Sequence, residues 1–531
     1  MRPLRQGTAL LTLSAFMAAQ GVETLAQANE PAQPKRPSFS VDHSYPYDVN
    51  AIPAYEGDHA AIYEHIDSNI DDHLANLQRW LRQRSISAQD DGIDEMAALL
   101  VDDFTEMGFD EVELVETDGH PGVWAYYDAG APKTLLVYMM YDVQPVNPED
   151  WQSPPFDAEL IDHPTGKVLM ARGATNQKGP QRALLNAMES IIAVNGKLPV
   201  NLMITAEGEE ELGSPHYPQI VDRYEERLKG ADGVIFPMNM QAPSGSVNLF
   251  LGVKGIVYWE MEAEGGAWGG PVTSEIHGSY KAALDSPVWR LVQALSTLTT
   301  PDGNTALVPG FYDGVRPPTE EEQSLIAAAL QGGDRQSALA DAFGIVRWID
   351  DAGPEQRTME LTYTPTLNID GIYGGYTGEG VKTILPNKAT AKMDSRLPVG
   401  IDPDEHLEKI RAYLDANGYE DIELRKLSSY PAAQTSIETP LVQAAIGVTR
   451  KYGYTPSVNP RIPGSAPFYQ FTERLKLPMM PWGMGFGNGA HAPNEVMLIE
   501  PAEGTGAAGL ADVEKAYVDF IFALAGELPG S

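Results

Sequence analysis

Thr-Leu-Leu-Val-Tyr-Met-Met-Tyr-Asp-Val-Gln-Pro, residues 134–145, is an apolar run that ends at an acidic residue and a proline. Thr134 to Tyr138 read as a buried strand, which puts Met140 and Asp142 just beyond its carboxyl end. The runs Val200 to Thr205 and Gly233 to Phe236 read the same way, and between the first and second a helix is predicted from Gly179 to Val194, closed by Asn195-Gly196. Strands alternating with helices imply an α/β domain around a mixed, mostly parallel sheet. In such sheets ligands gather outside the carboxyl ends of strands, and Met140, Asp142, Glu210, Glu211 and Met238 all follow strand-like runs. Asn176 lies between the run Lys167 to Met170 and the predicted helix.

Helical spacing extends from about Glu64 to Met107, with Leu74, Leu77, Trp80 and Leu81 forming one stripe. From about Val253 the texture changes. Val257 to Met261, Ala389 to Asp394 and Ile422 to Lys426 are strand-like, and Ser286 to Leu298 and Asp404 to Leu414 read as helices. Such a set forms an α+β unit inserted into the first domain. The chain is therefore divided into a signal peptide (1–28), a leader (29–60), the first part of the α/β domain (61–254), an inserted unit (255–430) and the domain's second part (431–531), which ends in a packed helix from Asp512 to Leu524.

The start of the chain explains the first two divisions. Arg2 and Arg5 precede an apolar stretch from Ala9 to Ala19, and Ala26-Gln27-Ala28 forms a small-residue cleavage site. The stretch is shorter than the roughly 20 residues that span a bilayer, so no transmembrane span is expected after its removal. The expected address is export, to a periplasm or the exterior. Asn29 to Ser40, rich in Pro, Ala and charge, reads as a flexible leader. With no cysteine in 531 residues, there is neither disulfide nor thiolate ligand, and any metal must be held by His, Asp, Glu or weaker donors. A net charge of −37 excludes the basic face that nucleic acid requires.

Six separated blocks carry a resemblance. Val137–Trp151 (VYMMYDVQPVNPEDW), Arg172-Gly-Ala-Thr with Lys178-Gly-Pro, and Glu207-Gly-Glu-Glu-Glu-Leu-Gly-Ser are three. Lys382-Thr through Ser395-Arg396-Leu-Pro, Gly464-Ser-Ala-Pro, and Gly489-Ala-His491-Ala-Pro-Asn-Glu complete them. In order and spacing they resemble the di-zinc metallopeptidase family of carnosinases, aminoacylases, succinyl-diaminopimelate desuccinylase and glutamate carboxypeptidase. The resemblance implies a phosphorylase/hydrolase-like catalytic domain, with the insertion as a ferredoxin-like lid that makes a homodimer.

The same resemblance assigns roles, and here the chain departs from its family. Met140, Met238 and Asn176 stand where a histidine, an aspartate and the bridging aspartate would hold the first zinc. The second zinc would be left with Asn176, Glu211 and His491. Thioether sulfur is a poor zinc ligand and an amide oxygen carries no charge, so at most one weakly held divalent ion is expected. Glu210 matches the general base, with Asp142 beside it. His277 matches a lid histidine that reaches a partner subunit's substrate. Arg396 matches a clamp for the substrate carboxylate, since a guanidinium donates two parallel hydrogen bonds. Gly464 and Ser465 would add donors near the substrate terminus. His216 reads as a surface histidine in preference to a substitute ligand, and Lys382 as structural.

The expected function is hydrolysis of a small amide, a dipeptide or N-acyl amino acid, with weakened or absent metal dependence. Two alternatives stay open: a metal-free acid–base enzyme such as a lyase on a small carboxylate substrate, and a non-catalytic binding protein on the same fold.

Overall fold

The structure, a computed structural model, describes residues 34–526. The expected signal sequence and the start of the leader lie outside them. Phe39, within the segment Asn29 to Ser40 expected to be flexible, is packed, and the chain that follows it is fastened. Phe39 packs edge-on against Tyr363 at 5.7 Å, and the N–H of Val41 donates to Glu355 at 3.0 Å. The cause is apolar: Val41 and Tyr55 are buried, which a solvated leader would not allow.

The apolar run at 134–140 forms a strand, Thr134–Met140, inside a six-stranded sheet. The strand order is Glu111–Val115, Gly122–Tyr127, Asn201–Glu207, Thr134–Met140, Gly233–Pro237, Met479–Trp482. The last four are mutually parallel, and Gly122–Tyr127 pairs antiparallel with both of its neighbours, which makes the sheet mixed. Side chains alternate between its faces. Leu135, Val137 and Met139 join one core with the helices Ile70–Arg82, Lys178–Asn195 and Leu510–Leu524. Leu136, Tyr138 and Met140 join a second core with Tyr217, Phe236, Phe468 and Phe471. Met140 thus ends its strand as a packed core side chain, beside Glu207 in register.

The helical region expected from Glu64 to Met107 is three helices, Ala60–Ser68, Ile70–Arg82 and Ile93–Glu106. Asn69 separates the first two, and the turn before the third needs Gly92 at φ +75°.

Residues 255–430 contribute a four-stranded antiparallel sheet in the order Asn368–Gly374, Lys388–Leu397, Gly255–Glu264, Glu423–Tyr430. The helices Pro287–Leu298 and Pro403–Ala416 share its core. Three further helices, Glu320–Gln331, Arg335–Phe343 and Pro354–Tyr363, lie between the sheet's strands in sequence. One of them ties this unit to the catalytic part: Glu322 on Glu320–Gln331 pairs with the buried Arg461.

His406 makes this unit acid-sensitive. It is fully buried against Phe311, with Nε2 3.3 Å from the Ser395 hydroxyl. Burial, aided by Lys409, pushes its pKa down to about 3. Below the ordinary value of 6.5 the unfolded chain takes up a proton that the folded chain refuses. Stability therefore falls as pH drops from 6.5 toward 3, by up to about 1.4 kcal/mol per pH unit from this residue. Urea unfolding at pH 6.5 and 4.5 is expected to show a smaller acid loss for His406→Gln than for the parent. Equal losses would contradict this.

Candidate active site

Strand ends, loops and a turn from both parts of the catalytic domain meet at one cleft of about 480 Å³. Met140 and Phe236 come from the ends of their strands and Met238 and Asn239 from the loop that follows. Asn176 and Gln177 precede the helix Lys178–Asn195, and Glu210 opens the turn Glu210–Leu212. Gly464, Ser465 and His491 come from the returning chain. That turn closes because Gly213 adopts φ +88°, and its N–H donates to the Glu210 carbonyl at 2.9 Å.

Asp142 holds the turn from below. Fully buried, it accepts hydrogen bonds from Ser87 Oγ (2.8 Å), Glu210 N (3.1 Å) and Glu211 N (3.0 Å). Burial and the nearby Glu211 raise its pKa to about 7. Burial followed by Glu211, Asp142 and Glu207 pushes the Glu210 carboxyl well above the ordinary range. Glu207 is also pushed up by burial, although Tyr138 (2.6 Å) and Ser214 (2.9 Å) donate to it. Burial and crowding thus push Asp142, Glu207 and Glu210 in the same direction, and ionising one makes the next harder to ionise. Among the described residues, no side chain hydrogen-bonds the Glu210 carboxyl, which leaves it free to act.

Asn176, Glu211 and His491 do come together. Asn176 Nδ2 donates to Glu211 Oε1 at 2.7 Å and lies 3.1 Å from His491 Nε2, which is itself 3.2 Å from Glu211 Oε2. Gln144 donates to the other side of Glu211 at 2.7 Å. The hydrogen bond that His491 donates to the Glu211 carboxylate raises the His491 pKa. His491 sits at φ +62°, a left-handed conformation that costs a residue with a β-carbon about 1–2 kcal/mol. Among the described residues, no group of three or more His, Asp or Glu side chains could hold a metal ion.

The loop from Arg172 to Asn176 owes its shape to Glu495. Its buried carboxylate accepts from Arg172 Nη1 (2.6 Å), and from the N–H groups of Gly173 (3.0 Å), Thr175 (2.8 Å) and Asn176 (2.8 Å).

Other expected residues fall elsewhere. Arg396 does not line this cleft. It lies on the strand Lys388–Leu397, donates to Tyr258 Oη at 3.1 Å, and borders a separate cavity of about 360 Å³ with Lys254 and Arg357. His277 is exposed on the inserted unit, its Nδ1 2.8 Å from Ser279 Oγ, and does not line the cleft either. In both cases the residue belongs to a different sheet from the carboxylates, and motif order along the chain does not place it in space. His216 is held by Glu209 at 2.8 Å, and Lys382 pairs with Glu275. The cleft also contains Asn239, Met240, Phe250 and Phe468, which sequence reasoning passed over. Amide and apolar side chains outside a titratable motif give no signal of that kind.

Comparisons with known proteins agree with this architecture. The model of Peptidase family M20/M25/M40 matches residues 136–523. The Beta-Ala-His dipeptidase of Rattus norvegicus is 27% identical over 474 residues, covering 83% of this chain and 92% of that protein. The Cys-Gly metallodipeptidase of Schizosaccharomyces pombe is 29% identical over 467 residues, covering 83% and 94%. Among solved structures, an M20 family metallo-carboxypeptidase from Sulfolobus solfataricus superposes with a TM-score of 0.76 at 33% identity, covering 85% of this chain and 99% of that one. The match spans the strand ends, the carboxylate turn and His491 alike, and on that ground the chain belongs to Peptidase family M20/M25/M40.

Proposed function

We propose that this chain hydrolyses small amides, dipeptides or N-acyl amino acids, at a centre that does not use the family's two zinc ions. One observation carries this reading. Asn176 stands at the position of the bridging ligand, donates a hydrogen bond to Glu211 and lies 3.1 Å from His491 Nε2, while Met140 fills the end of its strand as core. Zinc is held by imidazole, carboxylate or thiolate, and neither a thioether nor a neutral amide offsets its charge. The residues present do not fit a two-zinc centre, and no step is routed through one.

The chemistry then falls to the carboxylates. In its ionised form Glu210 takes a proton from the water that attacks the substrate carbonyl carbon. In its protonated form it returns that proton to the nitrogen as the C–N bond breaks. Asp142, Glu207 and Glu211 set which form prevails, because each ionised neighbour makes the next harder to ionise. Gly464 and Ser465 border the cleft where the substrate terminus would rest.

We also assign a homodimer through the inserted unit and an exported location. The strand Asn368–Gly374 is a sheet edge with Ile369, Ile372 and Tyr373 all exposed, a surface that a second copy would cover. The export reading rests on the amino-terminal pattern. No helix of the described residues is long and apolar enough to cross a membrane.

Release of free amine from a panel of dipeptides and N-acyl amino acids tests the hydrolase reading. Turnover of several members is the expected result. Tight binding of panel members without amine release would favour a binding protein.

A further inference from the structure

We propose that the cleft selects substrates carrying a bulky apolar group, preferably aromatic, seated where the family's first zinc position would lie. The inference rests on the hydrolase reading above and names the substrate class of that same site. The cleft, at about 480 Å³, is within the usual range for enclosing a small organic molecule, roughly 300–1,000 Å³.

Its lining divides into two chemistries. Glu210, Asn176 and His491 are polar, and Glu210 carries the reaction. Met140, Met238, Met240, Phe236, Phe250 and Phe468 form an apolar wall. Met140, Phe236 and Phe468 belong to the core beneath the cleft, so packing holds that wall in place. Replacing zinc ligands with thioethers has therefore left an apolar surface next to the carboxylates. Thioethers adapt to irregular shapes and make favourable contacts with aromatic rings. A charged group entering the same space would lose its hydration and find no partner.

A second observation orients the ligand. Gln177 Oε1 and Asn239 Oδ1 are buried with no hydrogen-bond partner, and both residues line the cleft. They are acceptors that a substrate amide N–H would satisfy. An amide anchored there, with its carbonyl at Glu210, leaves the thioether wall for the remaining side chain.

The test compares matched substrates. N-benzoylglycine is set against N-acetylglycine, and N-acetylphenylalanine against N-acetylaspartate, with kcat/KM and Kd measured for each. The phenyl-bearing member of at least one pair is expected to be preferred by about tenfold or more, in line with apolar discrimination in such pockets. Met240→Gln is expected to shrink that preference, with circular dichroism reporting that the variant is folded. Tighter binding of phenyl compounds without any cleavage would uphold the apolar pocket and overturn hydrolysis. Cleavage of both members within about twofold of each other would uphold hydrolysis and overturn the pocket. Neither binding nor cleavage of any of the four would also overturn it.

Discussion

Glu210→Gln is expected to lower kcat by roughly 10²–10⁴-fold, the usual contribution of a positioned general base. The substitution is nearly isosteric, and among the described residues no side chain hydrogen-bonds the carboxyl it replaces. It also replaces a carboxyl whose charged form burial and Glu211, Asp142 and Glu207 already disfavour with a neutral amide. The fold should therefore tolerate it, with a melting temperature at or above that of the parent and KM little changed. A fall in kcat alone identifies an interaction used mainly in the transition state. If turnover is unchanged, the proton is moved by another residue and the assignment of Glu210 is wrong.

Glu495→Ala is expected to cost about 3–5 kcal/mol of stability, the range for breaking a buried ion pair by removing one partner. The loss has two parts. Arg172, only 3% exposed, is left without its carboxylate, and three backbone N–H groups in the loop from Gly173 to Asn176 lose their acceptor. Because that loop carries Asn176 and Gln177 into the cleft, activity should fall further than the unfolded fraction alone explains. Denaturant unfolding together with kcat/KM under conditions where the variant is folded separates the two effects. A stability change below about 1 kcal/mol would show that the loop does not depend on this carboxylate.

Much of this was legible in the residues, for identifiable reasons. Thr134 to Met140 is a continuous apolar run that a buried parallel strand requires, and an acidic residue soon after marks its end. The helix Lys178–Asn195 was bounded by the Asn195-Gly196 stop, and Gly196 does close it at φ +76°. The strand Met479–Trp482 was missed because it contains Pro481. Its place at the sheet edge explains the tolerance, since an edge strand has no ladder on one side. The helix Glu320–Gln331 was passed over although it opens with a capping box, in which Thr319 and Glu322 bond each other's backbone. The changed residues Met140, Asn176 and Met238 were readable one at a time. That Asn176 would lie between Glu211 and His491, and that Met140 would join one core with Tyr138 and Phe236, required three dimensions.

The central claim is that this family member works without a two-zinc centre. Zinc content of the purified protein, measured per chain by elemental analysis and paired with the rate of amide hydrolysis before and after exhaustive chelation, tests it most directly. The account predicts well under two zinc ions per chain and a rate that survives chelation. Two tightly bound zinc ions, with activity lost on their removal and restored by zinc, would contradict it.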